Sequence, residues 1–465
     1  MERKNAWSTY DEADVEKLEK VAEGYKSFLS EAKTERECAV LAVKMAKEKG
    51  YRSLEELQRE GRSLKAGDKV YAVHKKKLVI LYHIGKKPLE EGMNILGAHI
   101  DSPRLDLKQN PLYEDGEMAL LETHYYGGIK KYQWAAIPLA LHGVVVKKDG
   151  SVTELASGEQ PGDPVLGISD LLIHLSSEQL QKKAAVVVEG ENLNIIVGSR
   201  PAESGEDDKE KKEKIRSAIL KLLEDSYGIE EEDFVSAELE AVPAGPARDF
   251  GLDRSMVMGY GQDDRICAFT SLLAQLEVED PLYTSVCLLA DKEEIGSVGA
   301  TGMQSRYFEN STAEVMQLTG GYSELALRRC LQRSHMLSSD VSAAFDPNYA
   351  SAFEKKNAAY LGKGMVFNKY TGSRGKSGSN DACAEYIGEL RRILDDAGVC
   401  WQTAELGKVD QGGGGTIAWI TANYGMDVID SGMALLNMHS PWEVSSKADI
   451  YEGYKGYKAF LCAQW

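Results

Sequence analysis

The sequence predicts an α/β fold built around a mostly parallel β-sheet with helices on both faces. From about residue 255 onward, short apolar runs alternate with polar sites and helical stretches, an order typical of such sheets. Residues 11–60 show apolar residues at three- and four-residue spacing, which predicts amphipathic helices. Residues from about 105 to 250 have a different texture, with short strands and a charge run. We therefore predict that this region is a second, mainly β domain inserted into the first.

Several elements of the first domain are strand candidates. The runs KVYAVH (69–74) and KLVILYHIG (77–85) are split by a basic turn, and NILGAHID (94–101) is a buried strand that ends on polar residues.

Within the insert, LALHGVVVKKDGSVTELA predicts a hairpin that turns at Asp149-Gly150. DLLIHLSSEQLQ (170–181) predicts a short helix, and IRSAILKLLEDSYG predicts a helix with Gly228 as its C-cap. The charge run 203–214 predicts a solvated loop or the start of a helix.

The overall composition excludes several classes of protein. The chain has 465 residues, of which 43% are hydrophobic, enough for a sizeable core in two or three domains. A net charge of −18 without a basic face argues against nucleic-acid binding. We also expect no membrane segment, because no apolar run reaches roughly 18 residues. The seven scattered cysteines contain no C-x-x-C, and the charged N-terminus lacks a signal-peptide core, so we expect a cytoplasmic protein.

The first candidate site is His99-Ile100-Asp101, at the end of a predicted strand. Residues i and i+2 of a strand point to the same side, so Asp101 can accept a hydrogen bond from one ring nitrogen of His99 while the other binds a metal. A buried His–Asp pair without metal, or a turn beginning at Asp101-Ser102-Pro103, would also explain this pattern.

Two further sites are rich in carboxylates. Asp263 precedes a predicted helix and is either its N-cap or a ligand that bridges two metals. Glu293 and Glu294 follow the apolar strand SVCLLA, where adjacent carboxylates are costly to bury unless a cation binds them. One could then ligate a metal while the other accepts a proton. A solvated surface loop is the alternative.

Asp340 in MLSSDV and His439 in LNMHSPWE complete the set of candidates. Each residue would be unremarkable alone, but each follows a short apolar run, and sites in such folds collect at the carboxyl ends of strands. Nitrogen and oxygen ligands without thiolate suit Zn²⁺, Mn²⁺ or Co²⁺.

These motifs resemble those of the aspartyl aminopeptidase / yeast aminopeptidase I family of dinuclear zinc exopeptidases. The resemblance rests on five stretches, in family order, that span residues 97–443: GAHIDSPRLDLK, GQDDRICAF, LLADKEEIGSVGATG, SSDVSAAFDPNY and NMHSPWE. It implies a metallo-aminopeptidase that removes N-terminal amino acids from peptides by attack of a metal-activated water.

The resemblance also implies two divalent metals per chain, expected to be zinc, with cobalt or manganese as alternatives. His99, Asp263 and Asp340 would hold one metal. Asp263, Glu294 and His439 would hold the other, with Asp263 bridging the two.

The catalytic roles implied by the resemblance fall on Asp101, which would orient His99, and on Glu293. Glu293 would act as general base and then as the acid that protonates the leaving amine.

The implied architecture is a doubly wound catalytic domain in two parts, 1–105 and 251–465, with a dimerisation domain at 106–250. Members of the family assemble dimers into twelve-subunit shells, which predicts a homo-oligomer.

The sequence departs from the eukaryotic aspartyl enzymes at positions that shape the substrate pocket. Asp346 in DVSAAFDPN and Asp170 in SDLLIHL stand where those enzymes have histidines. Carboxylates there would repel an acidic P1 side chain, so we expect neutral or basic N-terminal residues to be favoured.

Three rival functions follow from the same residues. An aminopeptidase specific for acidic residues would keep the family's usual preference. A dinuclear deacylase or carboxypeptidase would need a cation to bind a carboxylate, which Arg374 or Lys376 could supply. A non-catalytic shell protein would keep the fold, although the retained Glu293–Glu294 pair argues against it.

Overall fold

The structure is a computed structural model that describes residues 3–202 and 213–465. The chain divides into two compact units. The first unit contains Met1–Asp101, Ala247–Met438 and Glu443–Trp465, and the second contains Ser102–Pro246 and His439–Trp442. The main segment of the second unit overlaps the predicted insert, 106–250. Most of the predicted charge run at 203–214 lies outside the described residues.

A large mixed sheet forms the centre of the first unit. Within the described ranges its strands are β1 (Arg52–Ser53), β2 (Lys69–His74), β3 (Leu78–His83), β4 (Met93–His99), β13 (Thr284–Ala290), β14 (His335–Ser338), β16 (Met365–Asn368), β17 (Trp401–Thr403) and β18 (Asp427–Gly432). Their order across the sheet is β1-β2-β3-β13-β4-β14-β18-β16-β17.

This sheet has a parallel middle and a parallel pair at each edge, β1–β2 and β16–β17. Strands β13, β4, β14 and β18 pair in parallel, whereas β2–β3, β3–β13 and β16–β18 pair antiparallel. The sequence therefore predicted the parallel centre, but the sheet as a whole is mixed.

Helices of the first unit cover both faces of the large sheet. They are α1 (Glu12–Glu31), α2 (Glu35–Glu48), α3 (Leu54–Arg59), α5 (Gln262–Leu276), α6 (Tyr307–Leu318), α7 (Glu324–Gln332), α8 (Ala384–Asp396), α9 (Ala418–Ala422) and α10 (Lys447–Leu461). Strand β3 shows why both faces are covered: Val79 and Leu81 pack with α1, α2 and α5, while Ile80 and Tyr82 pack with α3, α6 and α7. Alternate residues of this strand thus pack into two hydrophobic cores, one on each face of the sheet.

A second, smaller sheet of the first unit was not predicted. It contains β11 (Arg248–Phe250), β12 (Met256–Gly259), β15 (Ser342–Ala343), β19 (Ala434–Leu436) and β20 (Glu443–Ser446), in the order β11-β12-β20-β19-β15. The polar stretches that begin at Asp263 and at Asn437 follow strands of this sheet. The expectation that all candidate sites follow strands of one parallel sheet was therefore wrong.

The second unit is built on an antiparallel sheet. Its strands are β5 (Arg104–Asp115), β6 (Met118–Tyr126), β7 (Leu139–Val146), β8 (Val152–Ser157), β9 (Ile195–Gly198) and β10 (Ala237–Pro243), in the order β8-β7-β10-β5-β6-β9. The predicted hairpin is β7–β8, with Gly150 at φ 85° in its turn. Helix α4 (Lys214–Tyr227) ends at Gly228, whose left-handed φ of 62° matches the predicted C-cap.

The helix predicted at 170–181 was wrong. This stretch contains two single-turn 3₁₀ segments, Ile173–Leu175 and Gln179–Gln181. Its apolar side chains stay exposed, with Ile173 at 68% and Leu175 at 65% of full exposure. A short helix is marginal in water unless an apolar face packs against something, and among the described residues these side chains remain largely uncovered.

Two further features concern the chain as a whole. All seven cysteines are free thiols. Among residues 3–202 and 213–465, no helix has the length and apolar character needed to cross a membrane.

Candidate metal centre

His99 is the last residue of β4, in the parallel middle of the large sheet. The side chain is almost completely buried, at 2% exposure. Its Nδ1 lies 2.9 Å from the backbone oxygen of Asp101 and 3.3 Å from Asp101 Oδ1, and its Nε2 lies 3.2 Å from Asp263 Oδ1. The Nδ1–H can thus donate to Asp101, which directs Nε2 towards the Asp263 carboxylate.

Asp101 connects His99 to the loop that carries the two glutamates. Its Oδ1 accepts a hydrogen bond from the Glu293 amide at 3.1 Å, and its Oδ2 accepts one from the Glu294 amide at 3.2 Å. The residue is fully buried. One carboxylate therefore fixes the backbone of both glutamates, a role that the sequence did not predict.

Asp263 lies within the first turn of α5, where its φ of −81° and ψ of 104° are not helical. Asp264 is also non-helical, so the regular part of α5 begins after these two residues. The Asp263 amide donates to Glu443 Oε2 at 3.1 Å, and the Glu443 side chain is itself buried. Glu443 in β20 thus holds the backbone of Asp263, a contact that the sequence did not reveal.

Asp340 follows β14 and completes a cluster with His99 and Asp263. One ligand atom from each of these three residues lies within 4.8 Å of the others. Burial, and then the nearby Asp264 and Glu293, raises the pKa of the Asp340 carboxyl well above its usual value.

The electrostatics of this cluster favour a bound cation. Burial alone would lower the pKa of His99, but its hydrogen bonds to Asp101 and Asp263 raise that pKa well above its usual value. Burial, together with the Asp263 charge, also raises the pKa of the fully buried Asp264. Such crowding of buried carboxylates is unfavourable without a compensating positive charge. The donor set of one imidazole and several carboxylates fits zinc.

Glu293 and Glu294 lie in a 3₁₀ turn, Glu293–Ile295, shortly after β13. Both side chains are partly buried, which disfavours a fully solvated surface loop. A carboxylate oxygen of Glu294 lies within 4.8 Å of one of Asp263. Two carboxylates at this separation can share or bracket a cation.

His439 belongs to the second unit, although its neighbours Met438 and Glu443 belong to the first. Its backbone has a left-handed φ of 64°. Its Nδ1 lies 2.8 Å from the backbone oxygen of Gly128, so an Nδ1–H can donate there. The Nε2 atom is then the one suited to bind a metal.

The two carboxylates expected in the substrate pocket accept hydrogen bonds from residues close to them in the sequence. Asp170 is exposed and accepts hydrogen bonds from the Leu171 amide at 2.8 Å and from Gln179 Nε2 at 3.0 Å. Asp346 caps the 3₁₀ helix Pro347–Ala352 and accepts from the Asn348 amide at 2.8 Å. Neither residue belongs to the cluster of His99, Asp263 and Asp340.

Comparison with known proteins assigns the chain to a family. Residues 28–461 match the family described as aminopeptidase I zinc metalloprotease (M18). The chain is 63% identical over 460 residues to the probable M18 family aminopeptidase 1 of Clostridium acetobutylicum, covering 99% of this chain and 98% of that one. It is 46% identical over 462 residues to the corresponding protein of Thermotoga maritima, covering 99% of each chain.

Solved structures agree with this assignment. The aminopeptidase of the M18 family from Thermotoga maritima superposes with a TM-score of 0.94 at 45% identity, covering 99% of each chain. Aminopeptidase I from Clostridium acetobutylicum gives a TM-score of 0.92 at 61% identity, also covering 99% of each. The more distant mApe1 dodecamer of S. cerevisiae, at 19% identity and a TM-score of 0.76, shares the fold. The prediction of a metal-dependent aminopeptidase is confirmed: the chain belongs to the M18 family of aminopeptidase I zinc metalloproteases.

Proposed function

We propose that the chain removes N-terminal amino acids from peptides with two zinc ions at this centre. His99, Asp263 and Asp340 would hold one ion, and Asp263, Glu294 and His439 the other. The observation that carries the proposal is the cluster of the buried His99 and Asp263 with the partly buried Asp340, whose ligand atoms lie within 4.8 Å of one another. When bound, such ions lower the pKa of a water molecule and stabilise negative charge on the scissile carbonyl oxygen.

Glu293 is the proposed general base. Its carboxylate would take a proton from the attacking water and later pass it to the nitrogen of the leaving amine. Asp101 supports this role because it holds the Glu293 amide at 3.1 Å. The same carboxylate lies beside His99, so the proposed base and a proposed ligand share one support.

A preference for neutral or basic P1 residues is the finer part of the proposal. It rests on the carboxylates of Asp170 and Asp346 at positions where the eukaryotic aspartyl enzymes have histidines. We expect kcat/KM for leucyl and lysyl substrates to exceed that for aspartyl substrates by at least about tenfold, since about 1.4 kcal/mol of repulsion gives that ratio. Equal or faster hydrolysis of aspartyl substrates would instead support an acidic-residue aminopeptidase.

The active form is proposed to be an oligomer of dimers, up to the dodecamer seen for the S. cerevisiae relative. The exposed apolar side chains at 165–186 support association, because patches of this kind mark protein interfaces.

We also propose that the protein works in the cytoplasm, which the seven free thiols support.

The test of the proposed function is hydrolysis of aminoacyl-anilides with a free amine, before and after chelation, with zinc, cobalt or manganese restored. We expect activity to disappear on chelation and to return with metal. Matched substrates with a blocked amine should remain intact. Cleavage of the blocked substrates alone would favour a deacylase, and no cleavage by folded, metal-loaded protein would favour a non-catalytic shell.

A further inference from the structure

The loop between Asp291 and Thr301, here called the glutamate loop, carries Glu293 and is closed at its base. Asp291 directly follows β13 at 1% exposure, and Thr301 is 3% exposed. The Thr301 hydroxyl donates a hydrogen bond to Asp291 Oδ2, and the Asp291 amide donates one to the Thr301 oxygen at 3.4 Å. The two ends of the loop are therefore joined through both side chain and backbone.

The interior of the glutamate loop is also tightly hydrogen-bonded. The Ser297 amide donates to the Lys292 oxygen at 2.7 Å, and the Gly296 amide donates to the Glu293 oxygen at 2.9 Å. Just beyond the loop, a Cβ added at Gly302 would lie 2.4 Å from the Ser297 oxygen, so the chain passes too closely there for any side chain. We expect a displacement of the loop base to displace Glu293 as well, because hydrogen bonds and close backbone contacts connect the two.

The strand register places the base of the loop beside the metal centre. Ala290 pairs in parallel with His99, so Asp291 extends β13 alongside the end of β4. Two buried carboxylates thus hold the loop: Asp101 accepts from the Glu293 amide, and Asp291 accepts from Thr301 at the loop base. Asp101 also contacts His99, so a substitution there would disturb a proposed ligand as well. Thr301 offers a way to loosen the loop without touching His99.

We propose that Asp291 and Thr301 are positioning residues that keep the glutamate loop in the conformation in which Glu293 can take a proton from the attacking water. This inference rests on the proposed function of Glu293. Burying the Asp291 carboxylate is costly, and the Thr301 hydroxyl supplies a hydrogen bond that offsets part of this cost. Since misplacing a catalytic group by about 1 Å can slow turnover about a hundredfold, a clamp on this loop has a direct catalytic consequence.

The test compares Thr301→Val, which removes the hydroxyl at nearly constant volume, with Thr301→Ser, which keeps it. Thr421→Val is the matched control, because Thr421 is fully buried and its hydroxyl donates to the Ala418 oxygen within α9. For Thr301→Val we expect kcat to fall at least tenfold while KM and zinc content per chain stay unchanged. Thr301→Ser and Thr421→Val should stay within about twofold of the wild-type kcat.

A second measurement reads the loop directly and needs no activity. Hydrogen exchange of the peptide covering the glutamate loop should be at least tenfold faster in Thr301→Val than in the wild type or in Thr421→Val. Unchanged exchange would overturn the proposal, and so would a wild-type kcat in Thr301→Val. Zinc loss in step with kcat, or an equal kcat loss in Thr421→Val, would also overturn it in favour of a ligand-holding or purely structural role. A metal-loaded wild type that releases no amino acid would refute the proposed function itself, while hydrogen exchange would still show whether Thr301 holds the loop.

Discussion

Two regions of the molecule differ in the kind of side chain that they bury: the surroundings of the proposed metal centre in the first unit and the stretch 165–186 in the second. The first unit hides charge: Asp101, Asp263 and Asp264 are at most 3% exposed. The second unit displays apolar side chains, including Leu180 at 64% exposure. Buried carboxylates are retained where a cation or a reaction can use them, and exposed apolar groups are retained where another surface can cover them. The contrast points to a chemical role for the buried carboxylates of the first unit and an associative role for the exposed stretch 165–186 of the second, although the proposed ligand His439 also belongs to the second unit.

The largest expected effect tests the chemical role. Glu293→Gln should lower kcat by about 10²–10⁴-fold, the usual contribution of a general base. Zinc content and thermal stability should not change, because the glutamine is nearly isosteric and the Glu293 amide still binds Asp101. Glu279→Gln is the control, since Glu279 is an exposed residue that precedes β13. A Glu293→Gln enzyme with a near-wild-type rate would show that the base has been assigned to the wrong residue.

The next effect tests the associative role. Ile173→Glu with Leu175→Glu should weaken self-association by about 10²–10⁴-fold, if each apolar side chain contributes roughly 1.5–3 kcal/mol when buried. Sedimentation velocity at several concentrations would measure the shift to smaller species. Leu325→Glu, at a 56% exposed position of the first unit, should leave the size distribution unchanged. If the double variant sediments like the wild type, the segment 165–186 does not mediate assembly.

The smallest effect concerns a buried carboxyl of the first unit outside the metal centre. Asp449 is fully buried and accepts hydrogen bonds from the Gly362 and Gly364 amides at 2.8 and 2.6 Å. Burial raises its pKa to about 8. Between the usual aspartate pKa of about 3.9 and that value, the folded chain binds more protons than the unfolded chain, so stability falls as pH rises.

We therefore expect the Tm of the wild type to fall between pH 5.5 and 8.5 by a few degrees more than that of Asp449→Asn, whose side chain cannot ionise. Asp396→Asn, at an exposed position, should follow the wild type. Parallel pH profiles for the wild type and Asp449→Asn would mean that Asp449 stays ionised in the folded chain.

Parts of the fold could be predicted because their signals are local. Strands β2, β3 and β4 each contain a short apolar run, and the α4 C-cap is marked by Gly228. The small sheet was missed because β11, β15 and β19 are only two or three residues long, too short to show a period. The helix predicted at 170–181 was wrong because the apolar residues that show helical spacing there are exposed and do not pack into a core.

The candidate site also contains residues that the sequence predicts and contacts that it does not. His99, Glu293 and Asp340 stand out because each follows an apolar run. Asp101 stood out as a partner of His99, but the contacts that hold the backbone of the site did not stand out, because they join residues far apart in the sequence. Asp101 reaches the glutamate amides, and Glu443 reaches the Asp263 amide across 180 positions. No local pattern distinguishes Glu443 from an ordinary strand residue, and none predicts which amides Asp101 binds.

The strand order of the large sheet has a consequence for biosynthesis. Strand β4 lies between β13 and β14, both of which leave the ribosome much later than His99 does. His99, Asp263 and Asp340 therefore cannot meet until most of the chain has emerged. A nascent chain that ends before Asp340 therefore lacks part of the proposed centre and cannot yet carry out the proposed hydrolysis.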